Sequence, residues 1–362
     1  MDTIQKGGIN VMKKITRVFA LLAAGALLLS AFVLTGCKKD SGKTLYLYNW
    51  TYYTPDSVIK QFEEEFGVKV VYDDYASNED MYAKLKAGGS GYDIVIPSGD
   101  YVSIMMSQGM LLPVDLAKIP NSTYIRPEAL AKATYDPAMQ YSIPYYWGAA
   151  GVAVNREKVP EFEESWNIFA RTDLAGRMSM MDDMREVLGD ALAYLGYSVN
   201  STNQSELDEA FRLVNEQWKP NLVKFDAEGF AKSFASGEFW VVQGYAEAVY
   251  EEMPPEMHDK IAFFIPKDEG GPSYLDSFCI PSGSKNPELA HEFINFFLRP
   301  EIYAEFLDSF GFPATIHTTA GDLQTITPYY TAESLVNCEL KEDLGENLEL
   351  YNQIWQKIRF TE

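Results

Sequence analysis

Apolar and polar positions alternate in two different periods along residues 45–109, and the punctuation between them is regular. Leu45–Trp50 is a run of strand length rich in β-formers. Thr54-Pro55-Asp56 predicts a helix start, with a cap residue and proline in the first turn. Val58, Ile59, Phe62 and Phe66 follow at helical spacing, and Gly67 ends the helix. Val68–Tyr72 reads as a second strand, Asn78–Ala87 as a helix closed by Gly88-Gly89, Tyr92–Pro97 as a third strand, and Tyr101–Gln108 as a helix ended by Gly109. Strand alternating with helix predicts a mostly parallel α/β sheet. In open sheets of this kind ligands bind beyond the carboxyl ends of the strands. That rule sets Trp50-Thr51-Tyr52-Tyr53 and Ser98-Gly99-Asp100 at one rim.

The same rhythm resumes after Tyr145-Tyr146-Trp147-Gly148. Val152–Asn155, Arg177–Met181, Trp240–Tyr245, Ile261–Pro266 and Phe278–Pro281 read as strands. Glu186–Leu195, Ser205–Gln217, Phe230–Ser236 and Ala290–Leu298 read as helices, with a Gly270-Gly271-Pro272 break late in the series and Pro300 beyond the last helix. There is no internal repeat and no low-complexity segment.

The first 36 residues follow a different pattern. Met12-Lys13-Lys14-Ile15-Thr16-Arg17 is a short basic region, Val18–Leu34 is almost wholly apolar or small, and Leu34-Thr35-Gly36-Cys37 precedes polar Lys38–Gly42. This is the layout of a secretory signal. It resembles a bacterial lipoprotein signal, which implies that Cys37 is acylated and becomes the mature N-terminus. The competing reading is a single membrane anchor, but the apolar run is at the lower limit for spanning. Residues 1–11 fit no signal, and Met12 is an alternative start. Residues 1–36 are thus expected to be a signal peptide and 37–42 a lipidated tether. The 326 residues from Cys37 onward suit about two domains at roughly 150 residues each.

Composition narrows the function classes. Hydrophobic residues make up 47% and charged residues 23%, which excludes a disordered or fibrous chain. The net charge is −22, and loss of the basic leader takes the mature chain to about −25. Nucleic acid and anionic lipid headgroups are poor partners for that surface, and small cations are better ones. Cys279 is expected to be a buried thiol, Cys338 lies near the end, and three scattered histidines have no metal-ligand spacing.

Seven segments in order carry a family resemblance: Tyr48–Thr51, Ser77–Leu85, Ile96–Ser98, Tyr141–Tyr145, Asp182–Val187, Leu275–Ser277 and Leu298–Pro300. Together they span nearly the whole mature chain. The chain resembles the spermidine/putrescine-binding lipoproteins and periplasmic proteins of polyamine ABC importers. The resemblance implies an α/β, two-lobed periplasmic-binding-protein-like fold (type II) with its ligand cleft between the lobes. Residues 43–147 plus 276–320 would form lobe 1, and 148–275 plus 321–362 lobe 2. It also implies no catalysis and no cofactor or metal. The expected partners are a polyamine, the subunits of an ABC permease, and a membrane reached through the lipid on Cys37. The expected state is an exported, anchored monomer facing the periplasm or extracellular space.

A polyamine is a flexible hydrocarbon with two or three ammonium groups. Carboxylates must meet each buried ammonium, and aromatic faces suit both the methylenes and the cation. Carried onto matching positions, the family's contacts are Trp50, Thr51, Tyr53, Ser98, Asp183, Glu186, Tyr245, Tyr274 and Asp276. Departures mark a second set. Tyr52 stands at an acid position, Asp100 at an aromatic one, Phe312 in a late aromatic position, and Lys341 at an amide position. Glu247 is an extra acid beside Tyr245. From the residues alone, Trp50 and Tyr53 are equally core aromatics, Asp183 and Glu186 have the spacing of a helix cap, Ser98 is a turn residue, and Asp276 is a surface turn acid. The tyrosine pairs Tyr145-Tyr146 and Tyr329-Tyr330 keep a ferric-iron site open as a rival, although hard-metal ligation usually adds carboxylate or His. An exported hydrolase with paired carboxylates is a weaker rival, since Asp183 and Glu186 sit too close on one helix to straddle a bond.

Overall fold

The computed structural model describes residues 43–360, apart from Tyr52, Gly89 and Ser90. The signal, the tether, the Cys37 lipidation site and the Tyr52 assignment all fall outside the described residues. Residues 44–362 form one compact unit. In chain order it contains β1 (Thr44–Trp50), α1 (Asp56–Phe66), β2 (Lys69–Tyr75), α2 (Asn78–Lys86), β3 (Ile94–Val95), α3 (Gly99–Ser107), α4 (Pro127–Lys132), β4 (Ser142–Gly148) and β5 (Gly151–Asn155). There follow β6 (Met178–Met180), α5 (Met184–Tyr194), α6 (Gln204–Arg212), β7 (Leu222–Phe225), α7 (Phe230–Ala235), β8 (Val241–Gly244), α8 (Ala246–Glu252) and β9 (Ile261–Phe264). The chain closes with β10 (Pro272–Cys279), α9 (Pro287–Phe297), α10 (Pro300–Phe310), β11 (Glu339–Leu340) and α11 (Leu348–Phe360).

Two sheets result. The first has six strands in the order β11-β10-β3-β1-β2, with β4 also paired to β10. The second has five, in the order β7-β6-β8-β5-β9. The mostly parallel expectation, drawn from residues 45–109, holds for the strands of that region. β1 is parallel to β2 and β3, but β10 runs antiparallel to β3 and β4, and β5 runs antiparallel to β8 and β9. The antiparallel strands belong to the chain segments that cross between the sheets, so no βαβ unit constrains their direction.

Local departures have physical causes. Thr54 does not cap α1, whose cap position is Pro55. Its hydroxyl is buried and bonded to Asn49 Nδ2 at 2.9 Å and Tyr145 Oη at 3.2 Å. Gly67 ends α1 as expected, with φ of 64° in the left-handed region that glycine enters without a Cβ clash. The predicted helix over 205–217 is α-helical only to Arg212 and continues as a π-helical segment over Leu213–Trp218. Pro300 lies beyond α9, as expected, and also opens a further helix, α10, where its missing N–H costs nothing. The largest difference is β10. It starts at Pro272, six residues earlier than the apolar run predicts, and carries Tyr274 and Asp276 into the sheet.

The cores are aromatic-rich. In the first sheet's core Phe62, Tyr145, Phe278, Phe293, Phe297 and Phe306 are buried. The second is built on Trp166, Phe169, Trp218, Val152 and Leu188, with Tyr351, Ile354, Trp355 and Ile358 of α11 packed into it. Cys279 and Cys338 are both free and buried, so no disulfide joins them.

Candidate functional site

The site gathers where β10 crosses the first sheet. Register along β10 and β4 shifts between Asp276 and Ser277: Asp276 faces Tyr146 and Ser277 faces Pro144, leaving Tyr145 as the extra residue of a bulge. A bulge re-aims side chains, and Pro144 is tolerated there because it has no N–H to give the ladder. Beside the bulge, Ser98 bridges to Asp276. Ser98 precedes α3 but does not cap it. Its hydroxyl instead donates to Asp276 Oδ1 at 2.7 Å and accepts from Asn78 Nδ2 at 3.1 Å. Asp276 is 3% exposed, so it is a strand residue of the interior and not a turn acid. Burial, with a smaller push from Asp100, raises its carboxyl to about 7 despite the Ser98 hydrogen bond and nearby Lys341.

Aromatic rings wall this carboxyl. Tyr53 packs edge-on against Tyr145 at 4.9 Å and against Phe306, Phe310 and Phe312 at 6.2–6.3 Å. Its hydroxyl is buried and faces Asp276, whose carboxyl it helps to hold down against the effect of burial. Trp50 closes the end of β1, with Nε1 donating to Ile96 O at 3.0 Å and the ring against Tyr75 at 4.8 Å. Thr51 is exposed, and its N–H donates to Tyr75 O at 3.3 Å. Phe312 is fully buried and stacks on Tyr146 at 4.1 Å, which puts it behind Tyr53.

The opposite wall comes from the second sheet. Asp183 caps α5, accepting from the N–H groups of Arg185 at 2.8 Å and Glu186 at 3.1 Å. The cap reading is therefore correct for Asp183. Glu186 is different: it is 1% exposed, one oxygen meets Lys341 Nζ at 2.5 Å, and Oε2 has no partner. Burial pushes Glu186 up, partly offset by Lys341. Burial by itself would discharge Lys341, but Glu186 and Asp183 reverse this and hold the ammonium charged. Tyr245 starts α8 and meets Tyr274 of β10 edge-on, ring centres 6.0 Å apart. That contact and the Lys341–Glu186 pair bring the two walls together. Glu247 meets no protein cation among the described residues, and burial, with Glu251 adding to it, raises its carboxyl to about 7. Burial also raises Asp100, with Lys341 and Arg185 opposing from across the cleft.

The structure thus brings Trp50, Tyr53, Ser98, Asp276, Tyr274, Tyr245, Glu186, Lys341, Asp100 and Glu247 to one acid-and-aromatic cleft. Two members were not foreseen. Asn78 orients Ser98 through both its amide ends. Asp190, fully buried, accepts from Gln243 and is driven well up by burial and by Glu186. Its signal was the i, i+4 spacing from Glu186 on one helix face. The tyrosine pairs are placed elsewhere in the packing: Tyr145 donates to Tyr53 O, Tyr146 and Tyr330 share a 2.7 Å hydroxyl contact, and Tyr329 stacks flat on Tyr250 at 3.8 Å. No group of three or more His, Cys, Asp or Glu suited to a metal occurs among the described residues.

A two-lobed α/β molecule with a charged, aromatic-walled cleft between two sheets is a solute-binding protein. The chain belongs to the bacterial extracellular solute-binding protein family, whose pattern matches residues 57–330. It is similar to the spermidine/putrescine-binding periplasmic protein of Escherichia coli K12, 37% identical over 96% of this chain and 99% of that one. It is 31% identical to the putrescine-binding periplasmic protein PotF of the same organism, over 79% of this chain and 81% of that one. Among solved structures, the Tp0655 (TpPotD) lipoprotein of Treponema pallidum matches with a TM-score of 0.86 and 59% identity, covering 88% of this chain and all of that one. No helix among the described residues is long and apolar enough to cross a membrane.

Proposed function

We propose that this chain captures a polyamine, putrescine or spermidine, in the cleft and presents it to an ABC permease, performing no chemistry on it. The observation that carries this reading is the pair Asp276 and Glu247. Both are carboxyls raised to about 7 by burial, and both act electrically on the Tyr274 hydroxyl. A buried acid left without a cation is costly, and an alkylammonium ligand supplies the missing charge. Tyr53, Tyr245, Tyr274 and Trp50 supply flat faces for its methylenes. The polyamine ligands named for the E. coli relatives agree with this chemistry.

Ser98 would position Asp276, and Asp183 would add charge while capping α5. Thr51 and Asp100 would shape the rims, and Phe312 would back Tyr53. The lobes in this reading follow the strands: the chain passes to the second sheet after Gly148, returns before Pro272, and passes again after Lys341. The lobe boundaries at 147, 275 and 320 that the resemblance implies, anchoring through lipid on Cys37 and a monomeric state belong to the same proposal. The test is calorimetric titration with putrescine, cadaverine, spermidine and spermine, beside thermal melting. A native-state ligand must raise the melting temperature, so no shift with any polyamine at millimolar concentration refutes the assignment.

A further inference from the structure

Lys341 is fixed from both sides. Its N–H donates to Ser273 O at 3.0 Å, extending the β10–β11 pairing by one residue. Its neighbours are clamped by the loop after α5. Glu339 accepts from Ser198 Oγ at 2.7 Å and from the Val199 N–H at 3.1 Å. Asn200 donates to Leu340 O at 2.8 Å and accepts from the Glu342 N–H at 2.9 Å. From this rigid mount the side chain, 19% exposed, reaches Glu186 on the other wall.

We propose that the Lys341 ammonium is a resident occupant of the Glu186 end of the cleft, limiting the ligand to an amine with two ammonium groups, met at Asp276 and Glu247. The inference rests on the polyamine reading above and deepens it. A lysine side chain ends as a polyamine does, in a primary ammonium on a methylene chain. At Glu186 it is chemically the same guest, already covalently held. A third ligand ammonium brought to this end would compete for Glu186 with a like charge that has nowhere to go. Specificity is commonly set by such a clash rather than by an added attraction. The unpartnered Glu186 Oε2 shows that the end could take a further donor once Lys341 is gone.

The experiment measures dissociation constants for putrescine and spermidine on wild type, Lys341→Gln, Lys341→Met, and the double variant Glu186→Gln/Lys341→Gln. Ligand-free melting shows which variants fold, and Lys341→Met stands in if the Gln variant does not. The expected result is that wild type binds putrescine at least as tightly as spermidine. Removing the ammonium should shift the affinity ratio tenfold or more toward spermidine, and the double variant should lose that gain, because freed Glu186 is what receives the third ammonium. If wild type binds a polyamine but the ratio moves less than twofold in Lys341→Gln and Lys341→Met, the proposal is overturned and the polyamine reading stands. If no protein in the series binds any polyamine, the reading itself has failed and the proposal falls with it.

Discussion

At neutral pH the Asp276 carboxyl is divided between its neutral and charged forms, because burial has moved it to about 7 from an ordinary 3.8. In the free protein this group weakens folding as pH rises from about 4 to 7, since over that window the folded state holds the proton more tightly than the unfolded one. Glu247 acts in the same direction. A cationic ligand pairs with the ionised form, and alkylammonium groups stay charged to near ~10. Binding should therefore release protons near pH 7, and the ligand-induced rise in melting temperature should grow from pH 6 to pH 8. Calorimetry in two buffers of different ionisation heat measures the proton count. Asp276→Asn should remove its share of the release, leaving that of Glu247, and cost about 2–5 kcal/mol of binding, the usual penalty for unpairing a buried charge. Wild-type affinity in that variant would take Asp276 out of the site.

The cap of α5 and the end of β4 each hold a side chain for the cleft. Asp183 accepts from two backbone N–H groups at the start of α5. Asn caps as well as Asp, whereas Ala loses about 1 kcal/mol of stability. Asp183→Asn should leave the unliganded melting temperature unchanged and weaken polyamine binding through the lost charge alone. Asp183→Ala should lower both. Equal affinity in wild type and Asp183→Asn would reduce Asp183 to a cap. Gly148 ends β4 with Tyr274 across from it, and a Cβ there would fall 2.5 Å from Tyr274 Oη and 2.7 Å from Cζ. Gly148→Ala should push the Tyr274 ring out of place and press on Tyr146 of the first core, 2.9 Å from the added Cβ, so that both binding and the aromatic packing there weaken. Ligand titration beside near-UV circular dichroism checks both halves of that statement.

Two sheets joined by several crossings can change their relative angle with little internal disturbance, as hinged binding proteins do. Contacts between the two sheets among the described residues include the Tyr245–Tyr274 and Tyr250–Tyr329 ring contacts, the Lys341–Glu186 pair, and the clamp on residues 339–342 by residues 198–200. A ligand held by acids on both walls should favour the closed arrangement. The expected outcome is a smaller radius of gyration by solution X-ray scattering with saturating polyamine. A change in tryptophan fluorescence should accompany it and be lost in Trp50→Phe. An unchanged scattering profile together with tight binding would mean that the cleft is closed without ligand.

The strands around residues 45–109 and the helices between them were legible in the sequence, because a core on one side imprints period 2 or period 3.6 on local side-chain choice. The acid and aromatic residues gathered between the sheets came into view through the family resemblance, since from the residues alone they read as well as core, cap and turn positions. β4, the early half of β10, and α10 were not legible. β4 is buried along its whole length, Tyr274 and Asp276 look like loop residues beside Gly270-Gly271, and Pro300 reads as a stop as readily as a start. Nor could local pattern give the bulge at Tyr145, the turning of Ser98 from its helix to Asp276, or the union of Lys341 with Glu186. Those last two residues are 155 positions apart. Their charges follow from the sequence, but which charge neutralises which depends on desolvation and distance, and only the folded chain sets either.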